Sequence, residues 1–490
     1  MFYHSTRNKG EVVDSRRAIV QGLSEDGGLF VSDALGATKI PLSALMTEDY
    51  LSLATRVLSV LLDDFSPEEI RDCVEKAYRG KFSSPAVTPV TELGEDWLLE
   101  LYHGPTSAFK DLALCVLPHL MSRALEKTGQ KVMIATATSG DTGKAALEGF
   151  KDVPNIGISV FYPEGKVSAV QRLQMVTQEG GNVAVAAVRG NFDDVQSAVK
   201  RLFLQGSGRS DVSLSSANSI NIGRLAPQVV YYFDAYRQLV EKKVISLGDP
   251  VDFSVPTGNF GDVLAGYYAK LMGLPVRHLI VASNANNVLT DFLTTGVYDR
   301  RRAFEKTISP SMDILISSNL ERLLYYVSGQ DTTFVADMMK ALREDGVYRI
   351  PEAMLAEIRK TFRCGWADDE QTCRTIREVW DEDGVLIDTH TAVAVRVGRA
   401  NKAEGAPLVV LSTASPYKFC RDVVFSIVDN APDMGDDFAY MDALSGLTGT
   451  EPPRGLSGLK KMPERHTDVI DVDQMQAFVE AQMNRVYGEK

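Results

Sequence analysis

KVMIATATSGDTGKAALEGF, Lys131 to Phe150, decides how the rest of the chain is read. Its first part is a β-rich apolar run, its middle a turn of small residues, and its end, with Ala145, Ala146 and Leu147, reads as the start of a helix. A strand that passes through a tight loop into a helix is the building unit of α/β proteins. Similar units follow: Ile156 to Tyr162 (IGISVFY) and Asn182 to Val188 (NVAVAAV) read as strands, with Ser168 to Glu179 as the crossover helix. Such alternation predicts a parallel sheet covered on both faces.

A second sheet is expected from Val251, where VDFSVPTGNFGD gives a strand ending in a glycine-rich turn, followed by a helix from Val263 to Leu271 and a strand from His278 to Ser283. Leu408 to Leu411 reads as a buried strand opening into STASPYKF. Upstream, Tyr50 to Leu62 and Pro67 to Tyr78 have apolar residues at helical spacing, with Ser66 as a plausible cap. The expected architecture is therefore α/β, with two open, mainly parallel sheets flanked by helices and a mainly helical N-terminal domain. By residue number the divisions are 1–95, an accessory domain; 96–230, a smaller α/β domain; 231–430, a larger one with a helical insertion at 284–383; and 431–490, a tail of short helices and loops.

At 490 residues the chain exceeds what one core usually holds. A formal net charge of −13, and no Lys/Arg run interleaved with aromatics, argue against a nucleic-acid partner. The densest basic run, Arg300-Arg301-Arg302 after Asp299, reads as solvated surface. Cys73, Cys115, Cys364, Cys373 and Cys420 lack CxxC spacing, so neither a disulfide framework nor a metal site is expected, and reduced thiols suit a cytoplasm. No stretch approaches the roughly 18 apolar residues of a membrane span.

Four clusters could carry chemistry. HGPTSAFKD, His103 to Asp111, places Lys110 beside Phe109; taken alone it is more often a surface lysine, but a lysine that condenses with an aldehyde must be partly desolvated, and Phe109 is compatible with that. In PTGNFGD, Pro256 to Asp262, Gly258 and Gly261 let backbone amides turn inward ahead of a helix, which makes either a phosphate cradle or a bare strand-to-helix turn. SGDTGK, Ser139 to Lys144, repeats that arrangement, and two anion-ready loops imply a ligand with two anionic ends, or two ligands. The nucleotide P-loop is excluded because Thr138 and Ala145 stand where its first glycine and its hydroxyl should be. In SSANSINIGR, Ser215 to Arg224, the polar side chains could cap a helix or bind an oxyanion.

Taken together and in order, these segments resemble the threonine synthase family, whose members convert O-phosphohomoserine and water to threonine and phosphate. The likeness also includes GLSEDGGLFV (Gly22 to Val31), TATSGDTG (Thr136 to Gly143), FYPEGKVSAVQ (Phe161 to Gln171), GNFDD (Gly190 to Asp194) and STASPYKF, and so runs over most of the chain. That family belongs to the tryptophan-synthase-β-like group, so the resemblance implies two α/β halves with pyridoxal 5'-phosphate between them. It further implies that Lys110 is the Schiff-base lysine, that Gly258, Asn259, Phe260, Gly261 and Asp262 hold the cofactor phosphate, and that Thr413 faces the pyridine nitrogen. Ser139, Asp141 and Thr142 would surround the substrate carboxylate and the ring; Lys144, Asn218, Ser219 and Arg224 would take the substrate phosphate. Relatives outside the family often carry Asn where Asp141 stands, so their ring contact does not transfer. The implied partner is the small-molecule substrate alone, for a cytoplasmic monomer or homodimer. Alternatives are a dehydratase or phospho-lyase on the same scaffold, or a threonine-synthase-like protein that binds cofactor without catalysis.

Overall fold

Two mainly parallel sheets carry the chain. In the larger, six strands run in the order Phe362–Trp366, Val276–Ser283, Val251–Pro256, Leu408–Ser412, Asp96–Glu100 and Val90–Leu93, parallel except for the last, which pairs with Asp96–Glu100 as an antiparallel edge. The smaller sheet has five parallel strands in the order Asp468–Asp471, Val183–Arg189, Ile156–Pro163, Lys131–Ala137 and Val212–Ser215. Every residue of Val251–Pro256 and of Ile156–Pro163 is buried, as expected of strands covered on both faces. The computed structural model describes the chain apart from Lys127, Ser139, Asn191, Glu489 and Lys490 and the side chains of Phe192, Asp193, Lys200, Leu204 and Gln205.

Local signals explain the helices. Pro67–Tyr78 starts at a capping box in which Ser66 and Glu69 satisfy each other's backbone amides, with Pro67 preset for the first turn. Ser168 and Gln171 form the same box ahead of Ala169–Val176. Helix Ile222–Glu241 is buried along nearly its whole length and packs against Tyr50–Leu61, Lys110–Leu114 and Gly261–Leu271, which makes it the central post of the molecule. No helix among the described residues is long and apolar enough to cross a membrane.

Several segments sit elsewhere than their sequence position suggested. Val90–Leu93 and Asp96–Glu100 join the larger sheet, because the turn at 94–95 closes them into a hairpin whose second strand pairs with Leu408–Ser412. The N-terminal region adds a small antiparallel sheet of Tyr3–Ser5, Val12–Val13 and Phe30–Val31 to its helices. Within 284–383, Phe362–Trp366 is an edge strand of the larger sheet, so this stretch is not a purely helical insertion. The tail likewise returns to the smaller sheet through Asp468–Asp471 and covers it with Met475–Tyr487.

At their carboxyl ends the parallel strands lead toward the segments read above as chemical: Lys131–Ala137 precedes the helix start at Asp141, Val251–Pro256 runs through 257–260 to the helix start at Gly261, and Leu408–Ser412 opens into 413–415. Ligands of open α/β sheets bind at such carboxyl ends. Helices Lys110–Leu114 and Asp141–Phe150 approach so closely at Gly149 that an added Cβ would lie 1.9 Å from the Leu114 carbonyl oxygen. Gly149→Ala is therefore expected to cost about 1 to 3 kcal/mol through overpacking, and more if the two helices cannot part. Denaturant melting would read this as a lower midpoint; an unchanged midpoint would mean that the close approach does not constrain these helices.

Candidate active site

The loop that carries Lys110 is sewn to the end of strand Leu408–Ser412. The Phe109 amide donates to the Thr413 carbonyl at 2.8 Å, the Ser415 amide to the Ser107 carbonyl at 3.1 Å, and Ala108 forms a bridge with Ala414. Ser107 takes a left-handed conformation at φ 60°, and the Asp111 carboxylate accepts from the amide and hydroxyl of Thr106 at 2.7 and 2.6 Å, which closes the turn before the helix. Lys110, the first helical residue, thus projects into the cleft with its side chain only 11% exposed.

Lys110 Nζ lies 3.4 Å from Asp141 Oδ2 and 3.5 Å from Ser311 Oγ. Asp141 Oδ1 in turn pairs with Lys418 Nζ at 2.7 Å and accepts from Gln171 Nε2 at 3.2 Å. Lys418 is fully buried and donates to the Thr106 carbonyl at 3.0 Å. Burial pushes the Asp141 carboxyl up, but Lys418 and Lys110 outweigh it and hold the group well below the usual carboxylate range. For Lys110, burial depresses the amine; Asp141 opposes this, while Lys418 and Arg224 add to it. The result is an amine readied for the neutral, nucleophilic form.

On the facing wall, the turn at 258–260 leads into helix Gly261–Leu271, with Phe260 left-handed at φ 64°. A Cβ on Gly258 would come within 2.9 Å of the Ser311 carbonyl oxygen, so Lys110 and this turn both adjoin Ser311. Ser317 Oγ donates to the Gly258 carbonyl at 2.7 Å. Asn319 ties the turn to SSANSINIGR, because its Nδ2 donates to the carbonyls of Asn259 and Ser219 at 3.1 and 3.2 Å. Asn218, Ser219 and Arg224 line the same cleft, while Asn221 caps Ile222–Glu241. Arg224 is buried; its Nη1 donates to the Ala217 carbonyl at 2.6 Å, its Nε has no partner among the described residues, and burial lowers its pKa to about 10. A buried guanidinium without a carboxylate partner is the signature of a missing anion.

Asp141, Thr142 and Thr413 also line the cleft, whose volume is about 1580 Å³, and Ser139 lies outside the described residues. Lys144 departs from expectation. It pairs with Glu148 at 3.2 Å and with Gln178, and it is absent from the cleft lining, because one turn into helix Asp141–Phe150 its side chain projects along the i,i+4 face. Three residues that the sequence reading missed complete the site. Ser311 belongs to the stretch taken for a helical insertion; its amide donates to His390 Nε2 at 3.1 Å, and His390 Nδ1 stands 2.7 Å from Asp388 Oδ2. Lys418 lies in STASPYKF, the segment in which the resemblance singles out Thr413 alone.

A phosphorylated aldehyde suits this donor set: a desolvated lysine, a glycine turn that a side chain would block, and an orphaned guanidinium. Residues 85–414 match the family model described as "Pyridoxal-phosphate dependent enzyme", and the chain is an enzyme of that class. Residues 2–78 match "Threonine synthase N terminus", and 391–479 match "Threonine synthase, C-terminal". Threonine synthase of Pseudomonas aeruginosa is 39% identical over 99% of both chains. Threonine synthase-like 1 of Homo sapiens is 37% identical over 83% of this chain and 57% of its own. The crystal structure of PLP-bound threonine synthase from Brucella melitensis superposes with a TM-score of 0.87 at 37% identity, covering 98% of this chain and 99% of that one. The chain therefore belongs to the threonine synthase family.

Removing one partner of a buried ion pair strands the other, at about 3 to 5 kcal/mol. Lys418→Met is expected to lower stability on that scale. It also takes a neighbouring positive charge from Lys110, so the pH at which that amine reacts half-maximally with added pyridoxal phosphate should rise, while Lys418→Arg keeps it near the wild-type value. Stopped-flow absorbance against pH measures this, and an unshifted profile in the Met variant would rule out the electrostatic role.

Proposed function

We propose that the protein converts O-phosphohomoserine and water to threonine and phosphate, in the cytoplasm, where its free cysteines stay reduced. The observation that carries this reading is a desolvated amine, Lys110, in one cleft with a glycine turn and with an uncompensated guanidinium, Arg224. That set matches a substrate and cofactor that each bring a phosphate. Gly258, Asn259, Phe260, Gly261 and Asp262 would hold the cofactor phosphate, and Thr413 would face the ring nitrogen. Asn218, Ser219 and Arg224 would take the substrate phosphate; Ser139, Asp141 and Thr142 would stand around its carboxylate and the ring.

When bound, the cofactor supplies a conjugated electron sink for the Cα carbanion. The residues supply the rest. Lys110, once displaced by the substrate amine, accepts the Cα proton at Nζ, and Asp141 stabilises the ammonium so formed. Thr413 would offer the ring nitrogen a hydroxyl instead of a carboxylate, which would disfavour its protonation and with it transamination. Lys110 Nζ would carry the protons the balance requires: those lost from Cα and Cβ as phosphate leaves Cγ are matched by one returned to Cγ and, after the hydroxyl of water has added at Cβ, one returned to Cα, with the remaining proton of water leaving on phosphate. Arg224, held by the Ala217 carbonyl, keeps the departing phosphate anchored meanwhile.

The dehydratase and phospho-lyase alternatives would use the same Lys110 and differ in product, and a protein that binds cofactor without catalysis would give no product. Incubation of the purified protein with O-phosphohomoserine should release threonine and phosphate in equal amounts; phosphate without threonine would replace the proposal by a lyase. Lys110→Ala should lose turnover by at least roughly a thousandfold, together with the borohydride-trappable link to cofactor. Arg224→Ala should raise KM roughly ten- to hundredfold while leaving cofactor content intact; an unchanged KM would remove Arg224 from the phosphate site.

A further inference from the structure

Resting on the assignment of 258–262 to the cofactor phosphate, the carboxyl of Asp262 calls for an explanation. A carboxylate buried beside a phosphate dianion would bring like charges together where water cannot screen them. Asp262 is buried, lines the cleft and sits in the first turn of Gly261–Leu271. Two hydroxyls from the central helix, those of Tyr231 and Tyr232, converge on its Oδ1 at 2.6 and 2.9 Å. Its Oδ2 is buried and has no hydrogen-bond partner among the described residues. Burial keeps both tyrosines protonated, and so able to donate. With Oδ1 occupied as an acceptor, a proton on this carboxyl belongs on Oδ2.

Other charged groups nearby do not replace that proton. Lys110 acts on Asp262 only from a distance, with no hydrogen bond between them among the described residues. Arg224, on the same helix as the tyrosines, is turned to the Ala217 carbonyl. Arg322, beside Asn319, is taken by Asn319 and the carbonyls of Phe30 and Ile220.

We propose that Asp262 is the proton-bearing member of the cradle: a neutral carboxylic acid whose Oδ2–H donates to the cofactor phosphate, so that phosphate binding draws one proton from solvent. Before any phosphate arrives, burial already lifts this carboxyl to about 6, restrained by the tyrosine hydrogen bonds and Lys110. At pH 7.5 it is therefore mostly ionised in the empty site, and the arriving dianion raises its pKa further. A group whose pKa rises on binding favours the bound state at low pH. Affinity is then lost as pH climbs through the bound-state pKa.

The test uses the full-length chain freed of cofactor and titrated calorimetrically with 4'-deoxypyridoxine 5'-phosphate, which keeps ring and phosphate but has no aldehyde for Lys110. Measured at pH 7.5 in two buffers of different ionisation enthalpy, wild type should take up close to one more proton per ligand than Asp262→Asn, which keeps a donor that does not ionise. Asp262→Leu should bind at least tenfold more weakly. Equal uptake by wild type and the Asn variant overturns the proposal. Gly258→Ala separates the two levels of inference: weakened binding there, with equal uptake in Asp262→Asn, refutes the protonated acid alone. Undiminished binding in both Gly258→Ala and Asp262→Leu refutes the cradle itself. If the Asn variant does not fold, Tyr231→Phe serves instead. Losing one donor to Oδ1 raises the carboxyl pKa of the empty site, so the uptake at pH 7.5 should shrink, and an unchanged uptake overturns the proposal.

Discussion

Asp141 between Lys110 and Lys418 is the interaction on which the site depends. Each of these groups alone would be expensive to bury, and together they are tolerated because every charge has an opposite neighbour within 3.4 Å. The arrangement spans the two sheets. Asp141 begins the helix that follows a strand of the smaller sheet, whereas Lys110 and Lys418 follow strands of the larger one. The contact that bridges the two sheets is thus the one that sets the charge of the reactive amine. The helix start at Asp141 does not favour the lysines, but it does favour the carboxylate they need.

The second constraint is the Ser311 segment, which enters the cleft between Lys110 and the glycine turn. Its carbonyl fills the space a side chain on Gly258 would need, its hydroxyl reaches Lys110, and its amide is fixed by His390. A stretch inserted between two strands therefore forms part of the wall of the site. Asn319, just ahead of the following helix, ties the glycine turn to SSANSINIGR through the carbonyls of Asn259 and Ser219.

Much of this was legible beforehand where local physics dominates. The Ser66 cap, the strand at Ile156 and the turn-to-helix form of PTGNFGD follow from propensity and spacing, and each appears near its expected bounds. What could not be read depends on contacts distant in sequence. Nothing local says that Lys418 meets a carboxylate 277 positions earlier, or that Ser311 turns inward from a charged, helix-rich stretch. Lys144 misled because a lysine in a glycine loop looks like an anion ligand, while its place on the helix gives it to Glu148. The edge strand Phe362–Trp366 was hidden because FRCGW lacks the apolar run of a central strand.

A net charge of −13 would repel a substrate carrying two anionic groups, so the cleft has to reverse the sign locally. It does so less by gathering many cations than by leaving one of them uncompensated. Many surface lysines and arginines are spent on nearby carboxylates, as at Arg277 with Asp252 or Arg399 with Asp96, whereas among the described residues Arg224 is offered carbonyl oxygen alone. Helix starts at Asp141 and Gly261 add partial positive charge, which the carboxyl groups of Asp141 and Asp262 in their first turns partly offset. Within such a site an ionised Asp262 would undo part of the gain, and its two tyrosine donors alone are too weak to neutralise it. A proton on that carboxyl, taken up as the phosphate binds, removes the conflict and turns a repelling group into a donor.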